Sequence, residues 1–185
     1  MDLALGWIGK LFEFFGSLFP RLLIVEATHG GVIFIRGKNI KTISAGLHLY
    51  WPFWSKVALL PTVRQPVNLP TQALTTKDGK RVVVGGIVRF RIGSITRAIT
   101  KTWDLDQIIV DESLGVFSDY ITSQDFLTVQ NDRPKVAKEL TEKLKEKLSY
   151  YGVLPIEAKL TDFCQCITLN HVGNWANVPV GENES

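Results

Sequence analysis

The sequence predicts an α+β protein. An antiparallel-rich β-sheet subdomain comes first, a helical α/β subdomain follows, and an N-terminal membrane helix precedes both. Three observations predict it. From Glu26 to about Ile92 apolar and polar residues alternate, the period of strands. After Ser94 the apolar residues recur every three or four positions, the period of helices. Before Glu26 lies a run rich in Phe and Leu, more apolar than an ordinary solvated arm. The 185 residues suffice for one domain with a short appendage. With 45% hydrophobic and 21% charged residues, a disordered or low-complexity chain is excluded. The expected division is a membrane-associated segment over 1–25, a folded domain over 26–169 and a loose tail over 170–185. Within the domain, 26–93 is the β-rich half and 94–169 the helical half with a last strand.

The N-terminal segment reads LALGWIGKLFEFFGSLFPRLLIV over residues 3–25. Its apolar positions, Trp7, Ile8, Leu11, Phe12, Phe14, Phe15, Leu18, Phe19, Leu22 and Leu23, advance by three or four and form a broad face with a narrow polar stripe. Three arrangements fit that pattern. A helix in the plane of the membrane interface is favoured by the amphipathic pattern and by Trp7. A spanning or re-entrant segment fits the length of roughly 20 residues needed to cross. Lys10 and Glu13 are costly in its middle unless they pair, and Pro20 could bend it. A helix packed on its own domain is the third. A cleaved signal peptide fits poorly, since Asp2 stands where basic residues belong. If the segment spans, Arg36, Lys38 and Lys41 downstream place the domain on the cytoplasmic side by the positive-inside bias.

In the β half, Val32-Ile33-Phe34-Ile35 is a strand ended by Arg36-Gly37-Lys38-Asn39, and Ala45-Gly46 introduces a second at Leu47-His48-Leu49-Tyr50. Val57 to Leu60 and Val63 to Leu69 read as a third, an edge or bulged strand interrupted by Pro61 and Pro66. Thr75-Thr76-Lys77-Asp78-Gly79-Lys80 carries the Asp-Gly pair of a tight hairpin turn. The return strand, Arg81 to Ile92, puts Val84, Gly86, Val88, Phe90 and Ile92 on one face and Arg89 and Arg91 on the solvent face. In the helical half, Ile95 to Lys101 is a short helix, and Asp104 caps a longer one running to about Ile121. Asn131 or Asp132 caps the next, with Pro134 in its first turn and Val136, Leu140, Leu144 and Leu148 as its buried stripe. Gly152 ends it. A final strand follows from about Val153 to Leu169.

Charge is split along the chain. Residues 27–103 carry 12 basic residues against the single acid Asp78, and residues 104–185 carry 7 basic against 14 acidic residues. A basic half followed by an acidic half fits an anionic membrane surface, head-to-tail contact between copies, or neutralisation within one chain. The candidate contact residues for oligomer or lipid are Lys80, Arg81, Arg89 and Arg91. The aromatic run Tyr50-Trp51-Pro52-Phe53-Trp54 adds Trp51, Phe53 and Trp54 as candidates for the headgroup region.

Other functions find little support. A net charge of +3 is too small to argue for nucleic acid, and no recognition motif is present. Gly85-Gly86 lies mid-strand, so it is no phosphate loop. Asp104/Asp106 and Asp111/Glu112 serve a helix dipole, with no convergent His, Lys or Ser for catalysis. His29, His48 and His171 are too far apart in sequence for a local metal spacing. Cys164 and Cys166 are expected as buried free thiols rather than a redox or metal pair. No enzyme, cofactor or metal is therefore expected.

Several stretches add up to a family pattern. His29-Gly30-Gly31-Val32 opens a strand, and Ala45-Gly46-Leu47-His48-Leu49-Tyr50-Trp51-Pro52-Phe53 follows. Thr76-Lys77-Asp78-Gly79 comes next, then Arg89-Phe90-Arg91-Ile92, and Tyr151-Gly152-Val153-Leu154-Pro155-Ile156 closes the series after a charged helix. In this order and spacing the chain resembles the SPFH or band 7 family, which includes stomatins, prohibitins and flotillins, over roughly residues 26–169. The resemblance implies a membrane-attached α+β domain and scaffolding in rings or cages that enclose membrane patches and organise partners, membrane proteases among them. It implies no enzyme. Members typically continue into a long helix or coiled coil. Here 16 residues follow Leu169, with Pro179 and Gly181 among them and no heptads. Any oligomer is thus expected to use domain faces or the N-terminal segment. The alternative is a membrane-tethered adaptor that binds one protein and does not polymerise.

Reversing the charge at Arg89 and Arg91 is expected to reduce assembly or lipid binding, with the loss greatest at low salt. Sedimentation across a salt series measures it, and salt-independent behaviour of the unaltered protein would count against these residues.

Overall fold

The computed structural model describes residues 19–166. Its element order begins with five short strands, β1 (Arg21–Val25), β2 (His29–Ile35), β3 (Asn39–Ile43), β4 (Gly46–Tyr50) and β5 (Ser55–Pro61). Two long strands follow, β6 (Gln65–Thr75) and β7 (Arg81–Ile92). The helices α1 (Ile95–Thr100), α2 (Leu105–Ser123), α3 (Phe126–Asn131) and α4 (Arg133–Leu148) come next. A 3-10 turn at Ser149–Tyr151 leads into β8 (Val153–Gln165). Pairing is antiparallel throughout: a two-stranded ribbon β1-β4, a sheet in the order β3-β2-β5, and a sheet in the order β6-β7-β8. The mixed α/β character with antiparallel sheets and later helices agrees with the sequence reading.

Local chemistry accounts for the boundaries. The β2–β3 turn has positive φ at Arg36 and Gly37, the signature of a tight hairpin connection. The β6–β7 turn closes through Thr76 N–H to Lys80 O at 2.9 Å, with Gly79 at φ +78. Asp78 in that turn also accepts from Phe126 N–H at 3.1 Å, which fastens the hairpin to the start of α3. The Thr76 hydroxyl, which donates to this carboxylate, leads the contacts that hold Asp78 below the ordinary carboxylate range. Asp104 caps α2 by accepting from Gln107 N–H at 3.1 Å, and Asp132 caps α4 by accepting from Lys135 N–H at 3.3 Å. Gly152 ends the helical stretch at φ +77.

The main core lies between the β6-β7-β8 sheet and the helices. Val84, Val88 and Phe90 of β7 meet Phe117 and Ile121 of α2 and the stripe Val136, Leu140, Leu144 and Leu148 of α4, all buried. Gly86 is required where the sheet approaches α2, since a Cβ there would stand 2.4 Å from the Phe117 ring. Burial, reinforced by Glu139, pushes the Tyr120 hydroxyl up, so it stays protonated and donates to Glu139 Oε2 at 2.9 Å. A second core is much smaller: Val25, Ile33 and Ile43, with Leu23, Tyr50 and Val57 packed on it.

Four readings are corrected. Arg21–Val25 is strand β1, paired with β4, so the helical reading of residues 3–25 fails at Leu22 and Leu23. The rest of that segment, from Trp7 to Leu18, lies outside the described residues, as does the tail over 170–185. Among the described residues no helix is long and apolar enough to cross a membrane. The stretch from Val57 to Leu69 is two strands in different sheets, with the register shift in the second falling between Leu69 and Gln72. Strand β3 and helix α3 occupy positions that carry no clear periodic signal. Cys164 and Cys166 are both exposed, not buried.

One buried contact joins helix to sheet. Ala158 N–H of β8 donates to Thr141 Oγ1 of α4 at 2.9 Å, and that hydroxyl donates to Ala137 O at 2.7 Å. Thr141→Val keeps the shape but orphans the Ala158 N–H, and is expected to lower stability by about 1–3 kcal/mol. Thr141→Ser, which keeps the acceptor, should lose clearly less. Denaturant unfolding of the two variants compares them.

Candidate functional site: an exposed apolar ribbon face

The β1-β4 ribbon has two different faces. Its register places Leu22 opposite Leu49 and Ile24 opposite Leu47, while Leu23 lies opposite His48 and Val25 opposite Gly46. Alternation along each strand then sorts the side chains. Leu23, Val25 and Tyr50 turn inward to the small core. Leu22, Ile24, Leu47 and Leu49 turn outward and are 65, 75, 65 and 62% exposed. Four large aliphatic side chains on one two-stranded face form a contiguous patch, which a water-facing ribbon does not need. Phe19, immediately before β1, is equally exposed.

The β4–β5 connection extends the patch. Trp51, Phe53 and Trp54 are each roughly half exposed. The Phe53 and Trp54 rings meet edge-on at 4.7 Å between centroids. Arg36 lies over the Trp54 indole at 5.7 Å, and its N–H donates to Trp54 O at 2.7 Å, so the β2–β3 turn props up the aromatic connection. A cleft of about 230 Å³ runs beneath, lined by Pro20, Ile35, Lys41, Leu49, Trp51 and Trp54. Its cationic member, Lys41, is exposed, as are Arg21, Arg36, Lys38 and Lys56 around it. Between residues 27 and 77 the chain carries no carboxylate. An apolar surface bearing aromatic rings is thus flanked in sequence by basic residues, with Glu26 after β1 as the one neighbouring carboxylate.

The other sequence candidates lie elsewhere. Lys80, Arg81, Arg89 and Arg91 are on β7 or its turn, in the β6-β7-β8 sheet. Lys80 pairs with Asp78 at 3.3 Å and lies over the Phe126 ring at 4.9 Å. Arg89 pairs with Glu157 across the β7–β8 ladder at 2.8 Å, and Lys159 reaches the same carboxylate at 2.6 Å. Lys159, with Arg89 beside it, holds the Glu157 carboxyl below the ordinary range. Arg81 and Arg91 are exposed near opposite ends of β7. The structure therefore brings the aromatic candidates together with Phe19 and Leu22, and leaves the four cationic candidates apart from them. Ile24, Leu47 and Leu49 were missed, although their period-two spacing in two short stretches is the signal that finds them. Trp103, between α1 and α2, is fully exposed and was also missed. Among the described residues no group of three or more His, Cys, Asp and Glu could hold a metal ion.

A domain of antiparallel sheets and packed helices, with an outward apolar ribbon face, defines a class. Residues 23–164 match the model of the SPFH domain / Band 7 family, and the chain belongs to that family. Its proteins are in general membrane-associated scaffolds rather than enzymes. Among its relatives is an uncharacterized protein of Methanocaldococcus jannaschii, 26% identical over 132 residues that cover 71% of this chain and 66% of that protein. Another is the stomatin homolog of Pyrococcus horikoshii, 22% identical over 139 residues that cover 75% of this chain and 52% of that protein. The chain thus spans about half to two thirds of the length of the curated relatives it matches.

The two ribbon faces give a direct check. Leu22→Asp and Leu49→Asp, on the outward face, are expected to change stability by no more than about 0.5 kcal/mol. Leu23→Asp, on the inward face, should cost several times more because it places a charge against the small core. Thermal unfolding of the three variants measures the contrast.

Proposed function

We propose that the chain is a scaffold subunit held at a membrane, with the outward face of the β1-β4 ribbon and the Trp51–Trp54 connection seated on an anionic lipid surface. The observation that carries the reading is the exposed quartet Leu22, Ile24, Leu47 and Leu49, flanked in sequence by the exposed basic residues Arg21, Arg36, Lys38, Lys41 and Lys56 against one exposed carboxylate, Glu26. Each Leu or Ile removed from water is worth about 1.5–3 kcal/mol when fully buried, and each nearby Lys or Arg adds about 1 kcal/mol on an anionic surface. The ribbon follows directly on the apolar segment over residues 3–20, so the two form one continuous membrane-seeking stretch of chain. Should the N-terminal segment span the membrane, the positive-inside bias of Arg36, Lys38 and Lys41 favours cytoplasmic placement of the domain.

In this reading copies assemble side by side, the basic β half of one meeting the acidic helix α2 of the next, and organise a membrane patch or a membrane protein such as a protease. The Arg89–Glu157 pair favours the alternative of a non-polymerising adaptor, since it satisfies one basic and one acidic group within a single chain. Light scattering of the detergent-extracted chain separates the two: a discrete mass of many copies supports assembly, and a monomer or dimer in several detergents supports the adaptor.

Membrane contact is tested by co-sedimentation with vesicles of neutral and of anionic lipid. Leu22→Ser with Leu49→Ser is expected to weaken binding to anionic vesicles roughly tenfold or more. Trp51→Ala or Trp54→Ala should weaken it less, and added salt should weaken the unaltered protein. Unchanged binding of the Leu22→Ser/Leu49→Ser variant would assign membrane contact to the N-terminal segment alone.

A further inference from the structure

Strand β8 carries a pair of thiols that neither the membrane surface nor the core uses. Cys164 stands opposite Val83 in the β7–β8 ladder. Two residues further on, Cys166 N–H donates to Arg81 O at 2.9 Å, so extended pairing continues through Cys166. Side chains two apart on an extended strand share a face. Phe163 turns to the opposite side, where it stacks on Phe126 at 5.2 Å. Both thiols are exposed on the face away from the core.

Geometry selects what this pair can hold. Two residues of strand span about 6.7 Å between Cα atoms, at the upper edge of the disulfide range of about 4.4–6.8 Å. The two β-carbons point in parallel rather than toward each other, so closing an S–S bond of about 2.05 Å would distort the ladder. An ion seated between two sulfurs bridges a longer gap and leaves the strand undisturbed. Thiolates are soft ligands. Among the described residues no third His, Cys, Asp or Glu joins them in a metal-holding group, so the tetrahedral set of a structural zinc site is not built here. The nearest carboxylate along the strand, Asp162, is turned over Gly85 and accepts from the Thr161 hydroxyl at 3.0 Å. Among the described residues two sulfurs share this face with one carboxylate, Asp162, which is engaged by Thr161, and that set suits a soft monovalent ion in two-coordinate geometry.

We infer that Cys164 and Cys166 form a two-thiolate site for copper(I). Binding releases the two S–H protons to solvent and transfers no electron. Two thiolates and one monovalent cation leave a net charge of −1. Arg81, exposed and opposite Cys166, sits where directly opposed side chains are about 4.5–5.5 Å apart at Cβ and compensates that charge.

The test uses the full chain in detergent, anaerobic and reduced, with copper(I) delivered from the chromophoric chelator bathocuproine disulfonate. The unaltered protein is expected to withdraw one copper(I) per chain. Cys164→Ser and Cys166→Ser should each abolish the withdrawal while keeping the circular dichroism spectrum. Arg81→Glu should weaken it several-fold, and zinc(II) at the same concentration should not be retained. X-ray absorption of the loaded protein should report two sulfur neighbours. No copper withdrawn by the unaltered chain would overturn the site. So would retention by both serine variants, or one ion shared between two chains.

Discussion

Gly152 is the point on which the larger body of the fold turns. It stands in the left-handed region, and its carbonyl accepts from both Gly93 N–H at 2.8 Å and Ser94 N–H at 2.9 Å. A Cβ at this residue would come within 2.5 Å of Ser94 O. The chain reversal from α4 into β8 and the close approach to the β7–α1 junction therefore make the same demand, which glycine alone meets without strain. This contact sets Val153 opposite Ile92 and so starts the register of the β7–β8 ladder. Everything downstream inherits that start: Glu157 comes to face Arg89, and Cys164 comes to face Val83. Lengthening the connection by one residue would move every later side chain of β8 to the other face of the sheet.

How much of this was legible in the sequence depended on how pure the local pattern was. From Ile87 to Ile92 β7 alternates, with Val88, Phe90 and Ile92 buried and Arg89 and Arg91 exposed, so its faces were readable. α4 repeats an apolar residue every fourth position between Asp132 and Gly152, and its stripe was readable too. β1 was not. Leu22, Leu23 and Ile24 are consecutive apolar residues at the end of a longer apolar run, and helical spacing absorbed them. What makes the segment a strand is its partner β4, more than 20 residues later, which no local window contains. β3 is exposed at every position except Ile43, so it offers no alternation to find. The cysteines were misjudged because β8 outruns the core: Cys164, Gln165 and Cys166 are exposed beyond Phe163. Of the candidate site, the aromatic connection was legible and the aliphatic quartet was not, because the latter exists only once the ribbon is paired.

The charge pattern has a mixed resolution. Part of it is settled within one chain, where Glu157 is shared by Arg89 and Lys159. The basic residues around the ribbon have one carboxylate close by in sequence, Glu26, and none between residues 27 and 77. The two parts of the domain thus differ in kind. One has a large core and internally balanced charge. The other has a core of three buried residues, an apolar outer face and unbalanced positive charge.

Strand β6 closes one side of its sheet and carries Pro66 and Pro70. Proline offers no N–H, so this border cannot template a further strand in continuous register. Crowding at a surface raises the local concentration of any protein, and an open β border is then the usual seed of irreversible fibre growth. The two prolines block that route: copies brought together along this side must meet through side chains, in contacts that come apart again.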